Sequence, residues 1–287
     1  SFGGDLEVLG YSNDRLVLPD MSDPIHRARA STAVAAKKRA KELLRLAGEV
    51  FGELLTVTAK APNILLQRQI PVTGPDEIEE LAVELRGVLG QEDCGPIRNL
   101  TALVERAGVC LVPIANLPGL DGISAWVNGV PVIGLNPAVS GDRFRFSMAH
   151  ECGHLMFHDR RHDTVENEAN HFSGALLFPR DDFDAAMIDK PKLTDFVQLK
   201  GNWGMSAAAI IYRAHQLDYI DDARYRALQI QMSKWRKNEP GEFQPVMGSL
   251  FPRLVEVNGG ATDVAKRLGV NAKHLRELVN WTRLRLA

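Results

Sequence analysis

The sequence predicts an α+β fold that is mainly helical, with a small β-sheet and a helical C-terminal region. Apolar residues recur at helical spacing along much of the chain, for example between residues 28 and 55 and between 76 and 89. Short β-prone runs occur together between residues 109 and 135, and helical periodicity returns after residue 260. A chain of 287 residues can bury a substantial core, and it is near the size at which one core divides into two.

The first predicted helix, from residue 28 to 55, has an apolar side and a basic side. We expect the basic side to be solvated, with a DNA or partner surface as the alternative. An acidic helix over 76–89 and a helix over 97–107 should follow. The basic side is formed by Lys37, Lys38, Arg39, Lys41 and Arg45.

Three short apolar runs form the predicted sheet. They cover residues 109–112, 122–126 and 130–135, and the last two are joined by Asn128 and Gly129. An Asn-Gly pair between two β-prone runs is the strongest short-range signal for a hairpin. We therefore predict that a hairpin immediately precedes the next helix.

That helix carries the most informative residues of the chain, the HExxH motif at residues 150–154. Residues four apart lie on one side of a helix, so His150 and His154 can reach the same metal ion. Glu151 is placed to act as a general base on a metal-bound water. Cys152 lies about 200° around the helix from His150, which predicts core packing rather than metal binding.

The third metal ligand is predicted on the following helix, between Val165 and Pro179. The metzincin pattern is excluded, because it requires glycine at position 157 and histidine at 160, where this chain has Phe157 and Arg160. Glu166 and Asn170 are four residues apart and share a face. We therefore assign Glu166 as third ligand and Asn170 as a residue that hydrogen-bonds a ligating histidine.

Several residues near this site remain alternatives. Glu168 is the second choice for third ligand. His158 is interpreted as a helix-end residue beside the site, with metal contact as its alternative, and we also name it as a candidate for the substrate cleft. His162 and His171 are weaker candidates, which could supply a proton or stabilise an oxyanion.

The runs RFSMAHECGHLMFH and ENEANHFSGALLFP resemble the ImmA/IrrE family of bacterial zinc metallopeptidases. Both halves match the family pattern in order and spacing over residues 145–180. The resemblance implies a gluzincin-like fold in which one Zn²⁺ is bound by His150, His154 and Glu166, with Glu151 as catalytic base. It also implies a substrate, because these peptidases inactivate helix-turn-helix repressors.

The resemblance also gives the hairpin a role. In gluzincin-like folds the sheet edge near the zinc helix receives an extended peptide as an added strand. Ala125 and Trp126 are therefore candidate substrate-cleft residues, although a hairpin that only completes the core is an equal alternative.

We predict four regions along the chain. They are a flexible lead-in (1–25), a linker helix (26–60), a metallopeptidase domain (61–235) and a helical C-terminal region (236–287). Residues 261–279 resemble a helix-turn-helix unit with Gly269 in the turn, for which DNA contact and partner docking are alternatives to a plain structural role. The linker is similar to one that follows an N-terminal helix-turn-helix in fused regulators, so we expect that a DNA-binding domain precedes this chain.

Composition restricts the remaining classes. The net charge of −2 gives no overall nucleic-acid footprint, and no apolar run is long enough to suggest membrane insertion. Three cysteines without a CxxC pair indicate a reducing compartment, and with no signal peptide in view we expect the cytoplasm.

The sequence therefore predicts a cytoplasmic zinc endopeptidase that regulates transcription by cleaving a repressor. The same ligands also accept Mn²⁺ or Fe²⁺. The main alternative is a non-catalytic regulator whose peptidase-like domain senses a metal, a ligand or a partner. A purely structural zinc is a weaker alternative, because it leaves the base and the open coordination position without a role.

Overall fold

A computed structural model describes residues 34–58, 66, 72–91, 94–114, 120–158, 163–235 and 239–281. The predicted lead-in over residues 1–25, most of the stretch from 61 to 71, and His162 lie outside the described residues. In what is described, short strands are surrounded by helices, which confirms the predicted α+β class.

Among the described residues, three helices precede the sheet, and two follow it directly. The first three are α1 (Val34–Val57), α2 (Pro75–Val88) and α3 (Leu100–Arg106). The strands are β1 (Cys110–Pro113), β2 (Gly122–Val127) and β3 (Val130–Leu135). Next come α4 (Gly141–Phe157), which carries the HExxH motif, and α5 (Val165–Leu177).

The rest of the described chain is helical. It contains α6 (Arg180–Ala186), α7 (Leu193–Trp203), α8 (Ala207–Gln216), α9 (Asp222–Met232), a 3-10 turn (Ser233–Trp235), α10 (Leu250–Val257), α11 (Gly260–Leu268) and α12 (Ala272–Val279). The predicted helix at 206–217 is present as α8, whose N-cap Ser206 accepts a hydrogen bond from the Ala209 amide. Helices α6, α7, α9 and α10 were not predicted.

The described strands form one mixed sheet in the order β1-β3-β2. β1 runs parallel to β3, and β2 runs antiparallel to it. Asn128 and Gly129 have φ values of 49° and 77°, so the predicted hairpin turns through the left-handed conformations that this residue pair tolerates. Among the described strands, β2 lies at the edge of the sheet, because it pairs only with β3.

The sheet separates two hydrophobic clusters. Helix α4 covers one face, and α1 covers the other together with the C-terminal helices α10 to α12. Successive residues of β2 alternate between the faces, with Trp126 packing towards α4 and Ala125 towards α1. The predicted linker helix thus packs directly on the sheet.

The C-terminal helix pair predicted at residues 261–279 is present as α11 and α12. Gly269 ends α11 in the left-handed conformation, and Asn271 caps α12 by accepting a hydrogen bond from the Lys273 amide. Their apolar sides join the α1 side of the core. No helix in the described ranges is long and apolar enough to cross a membrane.

Candidate metal centre

Helix α4 is buried along almost its whole length, and the HExxH residues lie in its C-terminal half. His150 and Glu151 are 0 % exposed and His154 is 2 % exposed. Polar side chains buried this completely require partners, because burial removes their hydrogen bonds to water. The partners come from the elements that surround α4.

The three predicted ligands converge on one point. His150 Nε2 lies 2.9 Å from His154 Nε2 and 3.4 Å from Glu166 Oε2, and His154 Nε2 lies 3.7 Å from Glu166 Oε1. Each residue offers one donor atom, and these atoms all lie within 4.8 Å of one another. A four-coordinate ion with bonds of about 2.0–2.2 Å holds its donors roughly 3.3–3.6 Å apart, so the set fits one divalent cation.

The hydrogen-bond partners of His150 set its tautomer. Its Nδ1 lies 3.1 Å from Oδ1 of Asn170 on α5. An amide oxygen only accepts hydrogen bonds, so Nδ1 carries the proton and Nε2 presents its lone pair. Asn170 thus makes the contact expected for a residue that orients a metal ligand.

His154 is oriented through a longer chain of contacts. Its Nδ1 lies 2.8 Å from Nδ1 of His158, whose Nε2 lies 2.9 Å from Oε2 of Glu168. The Glu168 carboxylate accepts a hydrogen bond from the N–H at His158 Nε2, so His158 Nδ1 is unprotonated and accepts a hydrogen bond from the N–H at His154 Nδ1. His154 Nε2 is therefore also a lone-pair donor. Thr164 donates a hydrogen bond to Glu168 and completes the chain.

These two series of hydrogen bonds explain why the site suits a cation. Two imidazole lone pairs face each other at 2.9 Å, with a carboxylate beside them. Such an arrangement is repulsive until a positive ion lies between the donors.

His158 lies at the end of α4 beside the metal donors, which is the position that the sequence favoured, and Glu168 is not part of the donor group. His158 is 4 % exposed and lies behind His154, so it does not line an open cleft. Glu168 contacts His158, whereas Glu166 supplies the carboxylate of the three-residue donor group.

Glu151 is held by the edge strand. Ser124 on β2 donates a hydrogen bond of 2.6 Å to Glu151 Oε2. A Cβ atom at Gly122 would lie 2.7 Å from Glu151 Oε1, so only glycine allows the strand to come this close to the carboxylate. Neither Ser124 nor Gly122 was predicted, although a serine on the same strand face as Trp126 is a signal that could have identified it.

Gly153 allows the two helices of the site to pack closely. A Cβ atom at Gly153 would lie 3.1 Å from Phe172 Cδ1 and 3.4 Å from the Ala169 Cα, so α5 approaches α4 closely at this position. Cys152, on the other side of α4, packs in the core as predicted. Burial, and secondarily the charge of Glu151, raises the pKa of the Cys152 thiol to about 12, which keeps it protonated.

Of the remaining predicted residues, one lies beside α4 and two lie away from the metal donors. Trp126 Nε1 donates a hydrogen bond of 2.8 Å to the carbonyl of Leu155, so this residue lies beside α4. Ala125 lies on the opposite face of the sheet, because neighbouring strand residues point in opposite directions. The prediction that the Ala125 side chain lines the cleft is therefore wrong. His171 pairs with Glu79 away from the metal donors.

A cavity of about 790 Å³ adjoins the metal site. Asn170 lines it, together with Arg143 and Phe146 from the first half of α4 and with Tyr212 and Tyr225 from α8 and α9. The cavity thus extends from the metal site along α4 towards its N-terminus. A volume of this size is typical of ligand-binding clefts.

The first turn of α4 is fixed at the wall of this cavity. Lys200 Nζ lies 2.6 Å from Asp142 Oδ2 and 3.0 Å from Glu239 Oε1. Burial raises the pKa of Asp142, but the hydrogen bonds from Lys200, Ser140 and the Arg143 amide, together with the charge of Lys200, outweigh it and the pKa is lowered. Asp142 is therefore ionised and holds the helix in place.

Residues 115–215 match the family model described as the IrrE N-terminal-like domain, Peptidase_M78. This part of the chain is similar to an IrrE N-terminal-like domain. This match confirms the resemblance to the ImmA/IrrE family, and it spans β2 to α8 with all three metal donors, Glu151 and Ser124. No curated protein shows a significant match to the chain.

Proposed function

We propose that this protein is a zinc-dependent endopeptidase that regulates transcription by cleaving a repressor-type protein. The observation that carries the proposal is the convergence of His150, His154 and Glu166, with both imidazoles held as lone-pair donors. The IrrE N-terminal-like match supports a peptidase-like or regulatory role in general.

The donor set fits Zn²⁺, which binds histidine and carboxylate ligands in tetrahedral sites. Bound zinc lowers the pKa of a coordinated water towards neutrality. Three protein ligands leave a fourth position for that water. His150 and His154 would bind through Nε2, and Glu166 would bind through its carboxylate.

Glu151 would act as the general base in this mechanism. Its carboxylate accepts the proton of the attacking water and then delivers that proton to the leaving amine. Ser124 orients the carboxylate by donating to Oε2. The complete burial of Glu151 strengthens its electrostatic interactions with reacting groups, because less water screens them.

The edge strand supports a peptide substrate. Val127 and Val130 face each other across the two-residue turn as a hydrogen-bonded pair. Because main-chain direction alternates along a strand, the N–H and C=O groups of Gly122, Ser124 and Trp126 point away from β3. An extended peptide added along β2 would use these groups for hydrogen bonds and would run past Glu151. Its side chains could enter the cavity beside Asn170.

The identity of the substrate rests on the resemblance to the ImmA/IrrE peptidases, which inactivate helix-turn-helix repressors. We expect cleavage in an exposed loop of such a repressor rather than general hydrolysis of small peptides. A regulatory protease is useful only when it is silent before a signal, so the isolated chain should have low basal activity.

The test is to incubate helix-turn-helix repressors from the same genome with wild-type protein, Glu151→Gln and Glu53→Gln, with and without added Zn²⁺. Glu53 is exposed on α1, which makes it a matched surface control. We expect one discrete fragment by mass spectrometry with wild type and Glu53→Gln. Glu151→Gln should bind zinc normally but give no fragment.

A different pattern would favour the non-catalytic alternative. If no repressor is cut under inducing conditions and Glu151→Gln supports a normal transcriptional response in cells, the enzyme proposal fails. The domain would then act as a sensor of metal, ligand or partner.

A further inference from the structure

A second cavity lies on another side of α4, away from the metal donors. It has a volume of about 620 Å³, and Arg145 of α4 lines it together with Arg98 and the end of α7. Arg145 is five residues before His150, which places the two side chains about 140° apart around the helix. The cavity is therefore separate from the proposed peptidase site.

Arg145 is nine-tenths buried and only partly hydrogen-bonded. The residue is 8 % exposed; its Nε donates to the carbonyl of Gly204 at 3.2 Å, and its Nη2 donates to the carbonyl of Ile97 at 2.8 Å. Its Nη1 makes no hydrogen bond to the described residues, and it is not sealed from solvent. This nitrogen is the part of the guanidinium left to interact with a ligand.

No carboxylate in the described part of the chain forms an ion pair with Arg145. Burial is the cause that lowers the pKa of its guanidinium, to about 10, so the group is still cationic at neutral pH. A buried positive charge without a counter-charge is costly. By contrast, the buried Lys200 of α7 contacts two carboxylates.

The backbone around Arg145 is shaped to receive it. Gly204 has a φ of 63°, and a Cβ atom at this position would lie 2.8 Å from Arg145 Nε. Capping the carbonyl end of α7 is a structural role that accounts for the bond of Nε, and linking that helix end to the carbonyl of Ile97 accounts for the bond of Nη2. It does not account for Nη1, for the cavity, or for a second arginine at the same cavity.

Arg98 is that second arginine. It is exposed, and it forms no ion pair or hydrogen bond with the described residues. Two guanidinium groups at one cavity are typical of sites for phosphate or carboxylate groups, because their planar donors match paired oxygens. The other walls include Trp203 and Phe243, which are apolar.

We propose that this cavity binds a small organic phosphate. Arg145 and Arg98 hold the phosphate group, and the organic part lies against Trp203 and Phe243. The cavity is larger than a phosphate ion alone requires and lies in the range of small-molecule sites. The proposal does not depend on the protein being a peptidase.

The test uses inorganic phosphate and phenyl phosphate as probes, with benzyl alcohol as an uncharged probe, in calorimetric titrations of the metal-loaded chain. Phenyl phosphate should bind more tightly than inorganic phosphate, and benzyl alcohol should not bind measurably. Arg98→Gln should weaken phenyl phosphate binding about tenfold or more, because it removes charge-assisted hydrogen bonds without touching the core.

Gly201→Leu supplies a second variant that does not disturb Arg145. Gly201 lies in α7 at the cavity, and a Cβ atom there would meet nothing within 4 Å, so a leucine can project into the cavity. Gly87→Leu on α2 is the matched control, since its Cβ position is equally open but lies elsewhere. Binding should be lost in Gly201→Leu and kept in Gly87→Leu.

Three results would overturn the proposal. They are no binding of either phosphate at millimolar concentration, equal binding by Gly201→Leu and Gly87→Leu, or loss of binding in Glu166→Gln alone. The last would place the anion at the metal centre instead.

Discussion

The buried Glu79 carboxylate gives a prediction with a calculable magnitude. Glu79 on α2 accepts hydrogen bonds from Arg213 Nη1 and from Arg213 Nη2 at 2.7 Å, and its Oε1 lies 2.6 Å from His171 Nε2. Arg213 is 0 % exposed, and its Nε also donates to the carbonyl of Phe178. This cluster connects α2, α5 and α8, and it lies directly behind the helix that carries Glu166 and Asn170.

The magnitude follows from the pKa of Glu79. Burial alone raises this pKa, but the hydrogen bonds from Arg213 and His171 outweigh it and lower the pKa from 4.5 to about 2. The difference corresponds to about 3 kcal/mol of stability at pH 7. Because the folded-state pKa is below the unfolded one, this contribution is complete above pH 4.5 and is lost as the pH falls towards 2.

Glu79→Gln keeps the shape of the side chain and removes its charge, so it should lower the free energy of unfolding by about 3 kcal/mol at pH 7. At pH 3.5 the difference between the two proteins should shrink to about 2 kcal/mol. Urea denaturation followed by circular dichroism at both pH values measures it. Glu84→Gln, on the exposed side of the same helix, is the control and should change stability by less than about 0.5 kcal/mol.

The reasoning fails if Glu79→Gln costs less than about 1 kcal/mol at pH 7, or if its cost is the same at both pH values. The first result would mean that desolvation of the ion pair cancels its attraction. The second would mean that the carboxylate is not preferentially ionised in the folded state.

Three further outcomes concern the metal site and its packing, and a fourth concerns α7. Glu166→Gln should reduce zinc affinity more strongly than Glu168→Gln in competition with a chromogenic chelator, because only Glu166 belongs to the donor group. His158→Ala should lower zinc affinity about 10- to 100-fold in the same assay, because it removes the partner of a ligating histidine. Gly153→Val should lower the free energy of unfolding by about 1–3 kcal/mol through overpacking against α5. Gly201→Ala, where the Cβ meets open space, should instead stabilise the protein by up to about 1 kcal/mol in the same urea experiment.

The sequence was most informative where the determining geometry is local. The i, i+4 spacing of His150 and His154, and of Glu166 and Asn170, fixes which side chains share a helix face. The structure accordingly brings all four residues together. The hairpin was predictable for the same reason, because Asn128 and Gly129 specify a turn by themselves.

The sequence was least informative where tertiary packing decides. Glu168 meets His158 only because α5 approaches α4 closely at Gly153, and nothing local indicates that contact. The face of Ala125 was misassigned because both faces of the sheet are buried, so β2 shows no clear alternation of polar and apolar residues. Arg213 and Glu79 are 134 residues apart, and their pairing depends on the whole arrangement of helices.

The polar side chains of helix α4 are positioned by contacts from outside the helix. A helix buried on nearly every side has no polar face, so most of the charged and polar side chains within it have a partner from outside the helix. Those partners come from four directions: Lys200 of α7 for Asp142, Asn170 of α5 for His150, Ser124 of β2 for Glu151, and His158 at the helix end for His154. These contacts orient the donor atoms of the site. The affinity of the site for zinc should therefore depend on these partners almost as strongly as on the ligands themselves.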